Sequence, residues 1–375
     1  MSSPEHRIDP EAYFTVSQGR LVLERFRRQR AAMAGAMVLL LLILCGLFAP
    51  FLSPHDPTIA GSDRAYLDGA PTIPRFCDRN GCSARPFLHK VERVRSIETN
   101  LRWVERVSED ERRYVRFLVP GAPYRLFGLF TLETRLFGVD EGYIHLFGTD
   151  SAGKDIFSRT LHAIWTSLTV GVLGVLVAFV LALVIGGISG FVGGWVDSVI
   201  QTVSDAVKII PRLPLFMAMA AFLPQEWSAE TRFLLITTLL GLKGWPTLAR
   251  RVRTHILTER SQDYVLAAQL CGAGMPYVLR RHLLPSFTSY IIVDLVISFP
   301  YMVLSETALS FIGLGLKDPV NSLGVMLQNA TSADVILNHQ WYFIPVVFFI
   351  ALVLAFVFVG DGLRDAVDPY AEIRR

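Results

Sequence analysis

Apolar residues in this chain come in long blocks. Ala31 to Phe51 is 21 residues without a charge, and Ala163 to Val196 is 34. A bilayer core takes about 20 apolar residues as helix, so both blocks are long enough to cross one. The second exceeds one perpendicular span: as helix it reaches about 50 Å, against a hydrocarbon layer of about 30 Å. Shorter apolar blocks follow, and the pattern predicts spans near 31–52, 163–187, 200–223, 231–249, 288–312 and 341–360. Pro50, Pro54 and Pro57 end the first span. Gly186, Gly190 and Gly194, spaced by four, either let two helices approach closely or close a turn at Gly193-Gly194. Pro300 and Pro345 predict kinks in the last two spans.

Composition agrees with the blocks. Hydrophobic types make up 52% and charged types 18%, against roughly 25% charged in an average soluble domain. Mean hydropathy is +0.41. A disordered chain and a soluble enzyme are both excluded. The net charge of +3, from 36 basic and 33 acidic residues, is too balanced to argue for nucleic acid. Placement says more. Arg25, Arg27, Arg28 and Arg30 precede the first span, and a long stretch with Arg250, Arg251, Arg253, Arg260, Arg280 and Arg281 separates the fourth from the fifth. Arg374 and Arg375 end the chain. Basic flanks stay cytoplasmic. With six spans the N-terminus, the basic stretch and the tail all fall inside. The first block starts after thirty residues and lacks a small-residue cleavage site, so it reads as a retained span rather than a signal peptide.

The resulting division is a cytoplasmic N-terminus (1–30), span 1 (31–52), an extracytoplasmic segment (53–160), a core domain with five spans (161–362) and a cytoplasmic tail (363–375). The extracytoplasmic segment holds 16 basic and 15 acidic residues over 53–159; long translocated stretches escape the charge rule. Its alternating run Tyr114 to Val119 predicts short strands. Cys77 and Cys82 flank Asp-Arg-Asn-Gly, a turn sequence. They are either a disulfide, which the outer compartment permits, or two free thiols. No second Cys or His pair stands near enough for a metal site. Cys45 and Cys271 read as small packing residues.

Catalytic motifs are missing. There is no Gly-x-x-x-x-Gly-Lys-Ser/Thr phosphate loop, no His-Glu-x-x-His and no Gly-x-Ser-x-Gly. The sequence therefore predicts no catalytic residue, no metal and no cofactor in this chain, and no ATP hydrolysis by that chemistry. Charges in or near spans are expensive facing lipid. Asp205, Asp294 and Glu306 are candidate pathway or gating carboxylates. The plainer readings are an ion pair between Asp205 and Lys208, snorkelling for Lys243, and packing for Glu306. Arg212 belongs to the same set.

The most informative stretch is the loop 250–287. It contains Asp263-Tyr-Val-Leu-Ala-Ala-Gln-Leu-Cys-Gly272, then Met275-Pro276 and Arg280-Arg-His282-Leu-Leu-Pro285. Two short helical pieces flank a Gly–Pro break, and Ala267 and Ala268 give the first piece a small-residue face that can enter a groove on a partner. Gly272 permits the bend that follows. This loop resembles the coupling loop of ABC importer permeases: Ala267, Ala268, Gly272, His282 and Pro285 match, while Leu266 stands where the pattern has Glu. Three further stretches resemble the dipeptide/oligopeptide/nickel group of those permeases. They are His145 to Arg159 (with Gly148-Thr149-Asp150), Glu306 to Gly315 followed by Ser322 to Leu327, and Gly360 to Pro369. Together the matches cover about 145–370 and resemble the second, C-type or E-type, permease of the pair.

That resemblance implies an all-α polytopic protein with six transmembrane helices of the type I importer kind, here with an enlarged extracytoplasmic segment after helix 1. It implies a transport subunit rather than an enzyme, forming half of a pathway for di- or oligopeptides across the inner membrane. The expected partners are a second permease, two cytoplasmic ATPases carrying ATP and Mg, an extracytoplasmic binding protein, a peptide and the bilayer. Nickel-chelate or other small-solute import is the alternative within the group. A secondary transporter is the alternative outside it, and no internal inverted repeat favours that.

Overall fold

A computed structural model describes residues 18–58, 67–78, 81–95, 103–139, 142–222, 224 and 227–368. The expected basic end Arg374-Arg375, the last residue of the Gly360–Pro369 stretch and the first 17 residues lie outside the described residues.

Helix α1 (Gln18–Arg28) and α2 (Arg30–Leu47) lead into a short α3 (Ala49–Leu52) with Pro50 in its first turn. Four strands follow: β1 (Arg75–Asp78), β2 (Gly81–Arg95), β3 (Trp103–Leu126) and β4 (Phe130–Val139), antiparallel in the order β1-β2-β3-β4. The helical class thus holds outside this segment, and the segment itself is a β-meander. Its strands are longer than the short runs expected. Phe117 pairs with Phe137 and Val115 with Val139, and such aromatic and β-branched pairs stabilise antiparallel ladders. The buried Arg135 on β4 ties the sheet to the end of α3 by donating from Nη1 to the Ser53 carbonyl at 2.7 Å.

The rest is helical. Helix α4 (Ile156–Val192) precedes α5 (Gly194–Ile209), α6 (Arg212–Phe222) and α7 (Ala229–Glu259). Then come α8 (Asp263–Leu270), α9 (Met275–Val278), a π turn (Leu279–Leu283), α10 (Leu284–Ser286) and α11 (Thr288–Phe311). Helices α12 (Leu323–Asn329), α13 (Ala333–Asn338) and α14 (Ile344–Val367) complete the described residues. Among the described residues, four helices are long and apolar enough to cross a membrane: α2, α4, α11 and α14 with its 3-10 entry, Gln340–Val367.

Helix α4 runs past both expected ends of the second span. The Asp155 carboxylate caps it, accepting from the Ser158 amide at 2.7 Å, and Gly193 with φ +70° ends it. The four-spaced glycines divide between the two roles left open. A Cβ on Gly186 would lie 2.5 Å from the Ala249 carbonyl oxygen and one on Gly190 would lie 2.9 Å from that of Arg253; these two admit α7. Gly194 has φ +58° and open space around it; it serves the turn. The expected third span breaks at Ile210-Pro211, between α5 and α6. Pro300 lies inside α11. Pro345 does not kink α14 but starts it, where a missing amide hydrogen costs nothing.

The core lies between α4, α7, α11, α12 and α14, around Val170, Ala178, Leu240, Phe299, Leu323 and Leu352. The Gly360-Asp-Gly362 stretch serves packing: a Cβ on Gly362 would run into Ala32 of α2, and one on Gly360 would sit 3.1 Å from Ile297 of α11.

At one end of the bundle the His145–Arg159 stretch forms a clasp. Arg159, 1% exposed, donates from Nε to Asn321 at 2.7 Å and from Nη2 to Asp318 at 3.1 Å, and pairs with Asp150. Trp341 Nε1 donates to the Thr149 carbonyl at 3.1 Å, and Tyr342 to Asp68 at 2.6 Å. The motif therefore joins the start of α4 to the segments before α12 and α14.

Candidate functional site

Helix α8 stands clear of the bundle. Val265 is fully buried with Ile256, Val278 and Leu283, while Leu266, Ala267 and Leu270 are exposed and Ala268 is half-buried. The buried and exposed residues follow helical spacing, so one face anchors the stub and the other is free. Gly272, with φ +82°, ends it. The Gly272 amide donates to the Gln269 carbonyl at 2.9 Å and the Ala273 amide to the Ala268 carbonyl at 3.0 Å. This paired reversal, with Ala268 and Ala273 both packed on the small core below, is a Schellman cap. A Cβ at 272 would meet nothing within 4 Å, so the backbone angle alone calls for glycine.

Past the bend, Pro276 and Pro285 occupy first-turn positions of α9 and α10, and both are exposed. The half-buried His282 sits between Tyr264 and Tyr277, with ring centroids 6.2 and 5.8 Å away. Tyr264 donates to Glu259 at 2.7 Å, fixing α8 to the end of α7. The sequence-predicted loop residues Leu266, Ala267, Ala268, Gly272, Pro276, His282 and Pro285 are thus one small structural unit. The loop's outer bounds shift, because α7 continues to Glu259 rather than ending near 250.

Two contacts tie the end of α7, from which this unit hangs, to α5 and α4. Arg253 reaches Asp197 with both Nε and Nη2 at 2.5 Å. Arg260 donates to the Gly190 carbonyl at 3.1 Å. Asp197 escaped the sequence reading because its partner is far along the chain; its place directly after the Gly193-Gly194 turn was the available signal.

The candidate pathway carboxylates separate. Asp205 on α5 pairs with Arg250 on α7 at 2.5 Å, not with Lys208 one turn away, and Asp294 on α11 pairs with Arg251 at 2.7 Å. Glu306 is fully buried and accepts from Ser310 Oγ at 2.7 Å; it holds the end of α11 against the Gly315–Ser322 turn. Lys243 does not snorkel. Its ammonium donates to the Ile210 carbonyl at 2.7 Å and to that of Val207, satisfying acceptors left free where α5 ends. Arg212 donates to Ser305 Oγ at 3.0 Å. Lys243, Arg212 and Arg251 line one cleft of about 280 Å³ between α4, α6, α7 and α11.

In the outer segment, Cys77 and Cys82 are joined, with Sγ–Sγ 2.10 Å, and pair across β1 and β2. His55 packs under the sheet beside His145, ring centroids 5.0 Å apart, with Nε2 2.9 Å from the Ile144 carbonyl. Burial lowers its pKa to about 4. Among the described residues no group of three His, Cys, Asp or Glu could hold a metal ion.

This stub, standing out from a bundle of long apolar helices, is what a membrane transport subunit needs. Residues 182–372 match the family described as "Binding-protein-dependent transport system inner membrane component", and the chain belongs to that family. Residues 17–71 match the "N-terminal TM domain of oligopeptide transport permease C". The chain is 35% identical over 238 residues to the dipeptide transport system permease protein DppC of Lactococcus lactis subsp. cremoris (strain MG1363), covering 62% of this chain and 66% of that protein. It is 33% identical over 226 residues to the oligopeptide transport system permease protein OppC of Bacillus subtilis (strain 168), covering 60% of this chain and 72% of that one. The matched region thus spans a little under two thirds of the Lactococcus protein's length. Inward-facing MetNI methionine ABC transporter structures are also similar, one at a TM-score of 0.45 and 18% identity over 56% of this chain and 96% of that one.

Proposed function

We propose that this chain is one of two permeases in an ATP-driven importer of di- or oligopeptides, and that α8 is the handle by which separate ATPases move it. The anchored and capped stub carries the reading: its buried face transmits a push to α7, and its exposed face offers Leu266, Ala267 and Leu270 to a groove. Leu266 in place of an acid makes that contact apolar. Through Arg253–Asp197 the push reaches α5, and through Arg260–Gly190 it reaches α4. ATP binding shifts the population between inward-open and outward-open states only as far as the ATPases contact those states differently.

In this reading the spans are α2, α4, the α5–α6 unit, α7, α11 and α14, with both termini and the stub in the cytoplasm. The segment 53–160 then lies outside as a cap over the pore mouth, where the binding protein docks and the cysteine pair is oxidised. The peptide assignment rests on relatives named for dipeptides and oligopeptides.

Assembly with the second permease and the ATPases, followed by labelled-dipeptide uptake in proteoliposomes, tests the reading. ATP-dependent uptake that vanishes when either partner is left out is the expected result. Uptake by this chain alone contradicts it.

A further inference from the structure

Two openings on the same face of the bundle join. The cleft of about 280 Å³ and a wider one of about 840 Å³ share Thr247, Arg251, Ile297 and Tyr301. Along α11 they extend from Ser305 to Tyr290, about 22 Å of helix and most of a hydrocarbon layer. The wider opening sets two carboxylates, Asp294 and Asp368, among the four cations Lys208, Arg250, Arg251 and Arg364. The narrower one has no such counter-charge in its lining. Arg212, Lys243 and Arg251 line it and no carboxylate does; among the described residues the only acid paired with any of the three is Asp294, on Arg251. Among the described residues, Lys243 and Arg212 meet only neutral oxygens: two helix-end carbonyls and a serine hydroxyl.

In the proposed topology α6 and α7 belong to spans, where two cations without a carboxylate partner are costly and call for a counter-charge or water. The cleft's floor is apolar (Ala178, Phe216, Leu240, Met302), and hydroxyls of Thr247, Ser298 and Ser305 stand around it. An apolar floor with a few convergent polar groups is the make-up of a small-molecule site, rather than of a surface built to meet one side chain of a partner protein. We infer that Lys243 and Arg212 form a specificity site for the passenger's carboxylate, so that the pathway favours peptides with a free C-terminal carboxyl over their neutral amides. The inference rests on the proposed transport role.

The test uses the assembled importer with a labelled dipeptide and its C-terminal amide, each rate divided by the binding-protein occupancy measured in the same preparation. The wild type is expected to move the acid about tenfold faster, the scale on which hydrogen bonds to a charged group count. In the Lys243→Gln/Arg212→Gln double variant the acid's rate falls to that of the amide, whose own rate holds; Lys243→Arg alone keeps the preference. Equal wild-type rates overturn the inference, as does an equal fall of both probes in the double variant. Loss of the second permease on purification of the double variant also overturns it, since the cations then serve a partner's acid. If the wild type moves neither probe with ATP, the transport reading itself fails.

Discussion

At the residue scale, two glycines in the same protein serve two physical purposes. Gly272 has room around it but φ +82°; Gly272→Ala is expected to cost about 1–2 kcal/mol of backbone strain. Gly186 is helical, but a Cβ there meets the Ala249 carbonyl oxygen at 2.5 Å. Gly186→Ala must part α4 from α7, and overpacking of this kind costs about 1–3 kcal/mol. Thermal melts of the purified protein, joined with hydrogen exchange, separate the two: protection is lost locally at 263–275 for Gly272→Ala and along α4 and α7 for Gly186→Ala. Arg159 is the opposite case, a residue fixed by what it neutralises. Arg159→Met leaves the 5%-exposed Asp150 without its cation and is expected to destabilise by about 3–5 kcal/mol, the usual cost of breaking a buried pair, read as a lower melting temperature.

His55 gives a pH signature. Burial holds it neutral down to about pH 4, whereas an unfolded histidine takes up its proton near 6.5. Between those values the unfolded state binds more protons, so stability rises with pH across that window. The contribution is complete above pH 6.5 and lost as pH falls toward 4. Melting measured from pH 7 to 4 should therefore drop more steeply in wild type than in His55→Gln; parallel curves contradict the assignment.

Among the elements, α8 depends on division of labour between faces. Exposed substitutions usually change stability by under about 0.5 kcal/mol, so Ala267→Arg is expected to fold and insert normally. Its ATP-driven uptake should nonetheless fall at least about tenfold, because a groove that no longer accepts the stub loses 1.4 kcal/mol or more of the coupling that shifts the states. Unchanged uptake would detach α8 from coupling. The stub was legible in sequence because its information is local: two alanines, a glycine four residues on and the prolines beyond specify helix, cap and bend within 25 residues. The extents of α4 and α7 were not. Hydropathy marks where lipid would lie, but a helix stops where its hydrogen bonds are capped, at Asp155 and Gly193. Charge partners were misread for a similar reason. Asp205 and Lys208 are neighbours on one helix, yet Arg250 of α7 takes the acid once the helices pack. Lys243 turned inward because the break at Pro211 left carbonyls that only a distant cation could reach.

For the whole molecule, the β-meander is the departure from a plain helical bundle. Its length and its alternating Tyr114–Val119 run pointed to strands, but the pairing of β3 with both β2 and β4 depends on contacts across dozens of residues. The sheet is bonded to the bundle at Ser53 by Arg135, while the clasp around Arg159 lies beyond it in sequence. Excision of 75–139 is therefore expected to leave membrane insertion and pairing with the second permease intact while abolishing uptake. Full uptake after the excision would remove the docking role given to the cap.

The central claim is that the stub faces the cytoplasm and is gripped by ATPases supplied by other chains. A natural reporter sits on it: Cys271 is exposed directly after α8, whereas the other free thiol, Cys45, is half-buried in α2. A membrane-impermeant maleimide applied to vesicles of both orientations measures its side and its cover. The account predicts labelling of Cys271 in inside-out vesicles only, and protection when the ATPases are bound. Labelling in right-side-out vesicles, or labelling that bound ATPases leave unchanged, would contradict it.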